Sequence, residues 1–280
     1  MADNALWDFS FHVEYSENDI WKHPIAYTHF HKIYEIYYLI ENEIVYFIDD
    51  KTYHIPEGTV VIVPPYKIHT TRGLNDRCRK RLLIYIPESF VECYLRDDPN
   101  LLKRLETAPF TIKQSKRKSI EDLMFKLLNE YQKNQGSIVL QKALLGELLV
   151  NLYRLSIESA KETGSRSIRK GTGQIQNITN YITSHYYSDI SLESLSKKFF
   201  MHPSYISRAF KQQLNISFTD FLKSVRIREV TLLLQSSELS VMQIAEKTGF
   251  DSSTSLCRAF KSVMGTTPLQ YRKSYKNNVL

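Results

Sequence analysis

A four-residue string occurs twice near the carboxyl end. Arg208-Ala209-Phe210-Lys211 returns 50 positions later as Arg258-Ala259-Phe260-Lys261, and Phe221 and Tyr271 keep the same offset. Upstream, Ser191-Leu192 and Leu195 match Ser240-Val241 and Ile244 at an offset of 49, so one residue has been added between the paired segments. The apolar register around the identity marks a duplication. This stretch must therefore fold as two similar pieces.

Each copy reads as a short helix, a turn and a second helix. In the first, Ser191 is placed to cap a helix with Leu192, Leu195 and Phe199 on its apolar side. Phe200-Met201-His202 forms the turn, and Pro203 opens the next helix where a missing amide costs nothing. In the second, Ser240 with Gln243 has the form of a capping box, and Gly249 supplies a left-handed turn residue. Ile206 and Phe210 are apolar at i, i+4, while Ser204, Ser207, Arg208 and Lys211 share another face. Leu256 and Phe260 repeat the buried pair, with Thr254, Cys257, Arg258 and Lys261 outward. Small polar groups beside an Arg suit approach to base edges, and a Lys further along suits phosphate. Ser217 to about Ser236, with Phe218, Phe221, Leu222, Val225, Leu232 and Leu233 as its apolar side, reads as a connecting helix. Its length of roughly 30 Å is close to the spacing of successive major grooves, ~34–36 Å.

Charge is distributed to match. Thr172–Leu280 holds 13 basic and 7 acidic residues, a surplus of +6, whereas the whole chain carries only +7. Such asymmetry points one half of the molecule at a polyanion.

The stretches Leu195–Lys211, Val241–Phe250, Arg258–Lys261, Gly265-Thr266-Thr267-Pro268 and Tyr271-Arg272 together resemble the DNA-binding domain of the AraC/XylS transcription regulators, from about Ile175 to Tyr275. The resemblance implies tandem helix-turn-helix units and regulation of promoters, usually activation in contact with RNA polymerase. Three positions depart from the pattern: Phe200 stands where the first turn often has Gly, Asn215 replaces the Gly usual after the first reading helix, and Leu256 replaces a common aromatic. Cys257 occupies a groove-facing position often held by Ser.

The rest of the chain has a different period. Tyr34–Ile40, Ile44–Ile48, Thr59–Val63 and Leu82–Ile86 read as short strands, with turns at 41–43 and 49–51, which predicts a sandwich or barrel. After Pro109 the spacing becomes helical. Ile120, Leu123, Met124, Leu127, Leu128 and Tyr131 follow a candidate cap at Ser119, and a second stripe runs through Leu144, Leu145, Leu148, Leu149, Leu152 and Leu155. Thr163–Gly173, with three Gly and one apolar residue, reads as a linker. The expected organisation is therefore α+β in two domains. Residues 1–108 form a cupin-like, effector-sensing β-barrel, and flanking helices at 109–162 pack on it and serve dimerisation. A linker at 163–173 leads to an all-α tandem helix-turn-helix domain at 174–280. No apolar run reaches the ~18 residues of a membrane span. Cys78, Cys93 and Cys257 make neither a disulfide framework nor a zinc motif, and Met1–Ser10 lacks a signal pattern. These features exclude secreted, membrane and fibrous classes and fit the cytoplasm.

One constellation in the first domain carries chemistry. His29, His31, Glu35 and Tyr37 fall on one face of an extended segment, and His69 is placed to close the site. The spacing His29-x-His31-x3-Glu35, then Gly58-x5-Pro64 and His69, is similar to the cupin pattern, although Pro65 and Lys67 interrupt its second half and the closing Asn is missing. These five residues are assigned to effector binding, with a sugar or related metabolite suggested by the aromatic surroundings. No metal, cofactor or catalytic residue is assigned. The expectation is a cytoplasmic, homodimeric, effector-responsive activator that binds double-stranded promoter DNA and no membrane. The alternative is a metal-dependent cupin enzyme fused to a DNA-binding tail.

Overall fold

The computed structural model describes residues 10–17, 29–49, 51–73, 79–106, 108–133, 135–162, 169–171, 173–214 and 216–279. Cys78, Asn215 and linker residues 163–168 and 172 lie outside the described residues, as does nearly all of the 1–10 segment.

Seven strands open the chain: β1 (His12–Ser16), β2 (Tyr34–Glu41), β3 (Ile44–Ile48), β4 (Lys51–Ile55), β5 (Thr59–Val63), β6 (His69–Gly73) and β7 (Lys80–Ile86). Then come α1 (Glu88–Asp97), α2 (Leu101–Leu105), β8 (Phe110–Thr111), α3 (Gln114–Gln132), α4 (Ile138–Glu162) and β9 (Arg169–Gly171). The carboxyl-terminal part is helical: α5 (Gln174–His185), α6 (Leu192–Phe199), α7 (Pro203–Leu214), α8 (Phe218–Ser236), α9 (Val241–Lys247), α10 (Ser253–Met264) and α11 (Pro268–Val279). A β-rich domain thus precedes a helical one, as the two hydrophobic periods require.

The expected closed barrel is not what forms. The strands make two open sheets, one of five strands in the order β1-β7-β2-β5-β8 and one of four in the order β6-β3-β4-β9. Closure needs the edge strands to pair with one another. Here each sheet ends on a short strand of two to five residues, and the sheets meet face to face through side chains. The inner faces contribute Tyr37, Leu39, Val61, Val63 and Leu83 from one sheet and Ile44, Tyr46, Tyr53 and Ile55 from the other.

The alternate residues face outward; the outer face of the five-stranded sheet is covered and that of the four-stranded sheet is covered at β3, while His54 on β4 is exposed. Ile36, Tyr38, Val60, Ile62, Leu82 and Ile84 pack against α1 to α4, including Leu127, Leu145, Leu148 and Leu152. Phe47, on the far side of the four-stranded sheet, joins Phe30 and Ile68 in the apolar core of the helical domain. β3 and β5 are therefore buried on both sides, which explains why they read as continuous apolar runs, whereas β4 alternates buried and exposed residues.

Two local expectations shift. Ser119 lies inside α3, which starts at Gln114, so it is no cap. On α8 the buried side comprises Phe218, Phe221, Leu222, Val225, Ile227, Val230, Thr231 and Leu234, while Leu232 and Leu233 are only half-buried. That helix is surrounded by both units and the sheet, so its burial exceeds a single stripe. Within the expected linker, Arg169–Gly171 adds an antiparallel edge strand to β4, pairing Thr52 with Gly171 and His54 with Arg169.

Candidate nucleic-acid interface and effector pocket

The duplicated units form as their local chemistry dictates. Ser191 caps α6 by accepting from the Ser194 amide at 3.1 Å, and Ser194 Oγ accepts from the Ser191 amide at 2.9 Å. Ser240 and Gln243 make the same reciprocal pair at the start of α9, at 3.3 and 2.9 Å. Ser252 caps the second reading helix, α10, through the Ser255 amide at 3.1 Å. That cap went unassigned in the sequence because four Ser and Thr residues crowd positions 252–255.

Both reading helices, α7 and α10, are divided into faces as expected. Ile206, Phe210, Leu256 and Phe260 are fully buried. Ser204, Arg208 and Lys211 are exposed on α7, with Ser207 half-buried; Thr254, Arg258 and Lys261 are exposed on α10, with Cys257 half-buried. The connector α8 has 19 residues, or ~28 Å of helix. Not every nearby cation serves this surface. Arg226 donates to the Tyr186 and Ser188 carbonyls at 2.8 and 2.9 Å, and Arg272 donates to those of Leu234 and Leu239 at 3.3 and 2.7 Å. These guanidiniums tie helices together and leave Arg208, Lys211, Arg258 and Lys261 as the outward charges of the reading helices.

The histidines converge, though not on one strand. β2 begins only at Tyr34; before it the chain turns a corner from the edge of the four-stranded sheet, where His29 and His69 exchange backbone hydrogen bonds at 3.1 and 2.9 Å. His31 sits in that corner, Glu35 enters on the inner face of β2, and His69 begins β6. The ligand atoms of His29, His31, Glu35 and His69 all lie within 4.8 Å of one another. Tyr37, of the same parity as Glu35 on β2, is buried in the inter-sheet core with its ring edge-on to Tyr46 at 5.2 Å. Tyr46 of β3, a residue that its sequence context does not single out from the neighbouring aromatics, donates to Glu35 Oε1 at 3.0 Å. Its position, same parity as Ile44 on a strand facing β2, was the available signal.

Proton positions follow from the acceptors. His31 Nδ1 lies 2.9 Å from the Ile33 carbonyl and His69 Nδ1 lies 2.8 Å from that of Lys67. A carbonyl only accepts, so both Nδ1 atoms carry the hydrogen. Both Nε2 atoms then face Glu35 Oε2, at 3.1 and 3.4 Å. Burial opposes charge on Glu35, but His69 and His31 outweigh it and hold the carboxyl well below its usual range. Burial likewise opposes charge on His69, and Glu35 more than compensates, raising it. In their neutral form the imidazoles would aim bare lone pairs at a carboxylate, an arrangement that calls for a cation. A second ring proton satisfies it. So does a metal ion, and three imidazoles with one carboxylate, two of the rings oriented through Nδ1 by backbone carbonyls, fit a divalent transition ion.

A profile of the AraC-like ligand binding domain matches residues 10–149, half of the chain, and one described as a helix-turn-helix domain matches residues 195–274. The chain belongs to the AraC family. Over 97% of its length, this AraC-family chain is 24% identical to the HTH-type transcriptional regulator YfiF of Bacillus subtilis strain 168, covering 86% of that protein. It is 30% identical over 138 residues to the Msm operon regulatory protein of Streptococcus mutans, covering 48% of this chain and 49% of that one. It thus spans most of the first relative and half of the second. Among solved structures, the C-terminal domain of AraT, a response regulator from Geobacillus stearothermophilus, is 36% identical with a TM-score of 0.36, covering 37% of this chain and 86% of that one. AraC-family membership makes the chain a DNA-binding transcription regulator with a ligand-binding domain. Among the described residues, no helix is long and apolar enough to cross a membrane.

Proposed function

We propose that this AraC-family regulator reads promoter DNA with both copies of its repeat and activates transcription in the cytoplasm when a small metabolite occupies the pocket between its sheets. The observation that carries this reading is the pairing of two exposed basic faces, each backed by a fully buried Phe, on helices α7 and α10 joined by a ~28 Å connector. Ser204, Ser207 and Arg208, and Thr254, Cys257 and Arg258, are assigned to base edges; Lys211 and Lys261 are assigned to phosphate. His29, His31, Glu35 and His69 anchor the effector, with Tyr37 in the apolar wall behind them. A divalent ion held by those four side chains would supply a Lewis-acidic anchor for an effector oxygen.

We assign the domains as a sensor at 1–108, packing helices at 109–162, a connection at 163–173 and a reading domain at 174–280. We assign a homodimer in contact with RNA polymerase. The leucine stripe of α4 is used within the subunit, where Leu144, Leu145, Leu148, Leu149 and Leu152 are buried. The dimer face is instead assigned to the exposed apolar residues of the same helix, Ile138, Val139, Leu140, Val150 and Ile157.

The test is anisotropy titration of the full-length protein with duplexes tiled across the DNA flanking its own gene, at physiological ionic strength. At least one duplex is expected to bind about a thousandfold more tightly than random sequence. A ratio near one for every duplex sinks the reading. Metal analysis and turnover assays with His31→Ala separate it from a metal-dependent enzyme carrying a DNA-binding tail.

A further inference from the structure

The strand segments that build the histidine pocket also form the seat of the helical domain. In extended backbone, neighbours point to opposite sides. His29 and His31 face the pocket, and Phe30 between them is buried in the core of the helical domain. His69 faces the pocket, and Ile68 beside it is buried in that same core. The alternation continues on β3, where Tyr46 hydrogen-bonds Glu35 while Phe47 packs edge-on against Phe221 of α8, with ring centroids 5.9 Å apart.

Polar contacts pin the same surface. Arg228 donates to Asp49 Oδ1 at 3.2 Å, and Asp49 also accepts from the Ile68 amide at 3.1 Å and from Lys67 Nζ at 2.6 Å. Gln235 donates to the hydroxyl of Tyr66 at 2.6 Å, while the Tyr66 amide donates to the His31 carbonyl at 2.7 Å. Gln235 also donates to the Tyr271 hydroxyl of α11 at 2.7 Å, so this pin reaches the second reading unit. Phe221, Arg228 and Gln235 are spaced by seven, a single stripe down the helix that sets the separation of the two reading units.

We infer that the outer face of the four-stranded sheet, with Phe30 and Ile68, is a clamp on α8, and that order in the histidine pocket sets its grip. The clamp deepens the effector reading above, since it supplies a physical route from the pocket to the DNA-reading helices. Glu35 is the common anchor of His31 and His69. Removing its charge frees segments 29–31 and 66–69 and loosens α8. Coupling is reciprocal, so releasing α8 loosens the pocket segments.

Hydrogen exchange followed by mass spectrometry on the full-length protein tests this without any ligand. Glu35→Gln is expected to speed exchange in 218–236 at least about fivefold, the low end for coupled sites, with the circular dichroism spectrum unchanged. Arg228→Ala provides the reverse measurement on a variant that keeps every side chain of the histidine cluster, and is expected to speed exchange in 29–31 and 66–69. If Arg228→Ala leaves those segments at their parent rates, or a folded Glu35→Gln leaves 218–236 unchanged, the clamp is overturned. Coupling seen in a protein that binds no metabolite would support the clamp while refuting the effector assignment, so the two readings fail separately.

Discussion

Phe200 and Gly249 close equivalent turns, 49 positions apart, and both backbones sit in the left-handed region, at φ 54° and 77°. Glycine adopts that region freely, whereas a phenylalanine is strained by ~1–2 kcal/mol. The Phe200 side chain is 95% exposed, so its packing does not repay the strain. Phe200→Gly is therefore expected to raise stability by ~0.5 kcal/mol, the relief of strain less the entropy a glycine adds to the unfolded chain. Gly249→Ala should destabilise by ~2–3 kcal/mol, since its Cβ would lie 2.9 Å from the Tyr186 and Tyr187 carbonyls and from Arg226 Nη2. Urea midpoints of the two variants, moving in opposite directions, check the equivalence.

Phe210→Ala and Phe260→Ala should each cost ~3–5 kcal/mol, because both rings are fully buried and stack edge-on, Phe210 on Phe221 and Phe260 on Tyr271. Calorimetry would show this as a lowered melting temperature. No change in either variant would mean that the inner faces of the reading helices are misassigned.

Arg208→Ala should weaken binding to the preferred duplex by ~1–3 kcal/mol and relax sequence choice, as expected for loss of a base contact. Lys211→Ala should weaken all sequences similarly and reduce the salt slope by about 1. Titrations at several salt concentrations distinguish the two. Equal losses for Arg208→Ala on preferred and random DNA would make it a phosphate contact.

Cobalt(II) is expected to bind the protein and give visible d–d absorption bands of a site with nitrogen and oxygen ligands. His31→Ala and His69→Ala should each weaken binding at least about tenfold, in line with losses seen when metal-site residues are changed. Absence of the bands in the parent protein would leave the Glu35 environment to ring protons alone.

The second half of the molecule was legible in the sequence because its signals are local. A cap, a turn residue and an i, i+4 pair lie within a dozen positions of each other, and Ser191, Ser240, Pro203 and Gly249 each act where they were read. The first half depends on pairings between distant segments. Sequence alternation brought His29, His31 and Glu35 together, but could not show that residues 29–33 form a corner between sheets. It also could not foresee that Phe47 and Ile68 face a second domain, since a strand buried on both sides has no solvent face to betray its register. The barrel expectation failed for the same reason: strand count is visible in a sequence, while closure depends on which edges meet.

The short strand Arg169–Gly171 has one more consequence. Its backbone is laced to β4, and only three positions separate Gly171 from Gln174, where α5 begins. At ~3.3–3.6 Å per residue, that stretch can span at most roughly 10 Å. The DNA-reading half is thus kept on a short leash and cannot swing away from its sensor unless the lacing peels open. The reach of the DNA-binding half is accordingly dictated by the edge of a sheet rather than by a floppy tether.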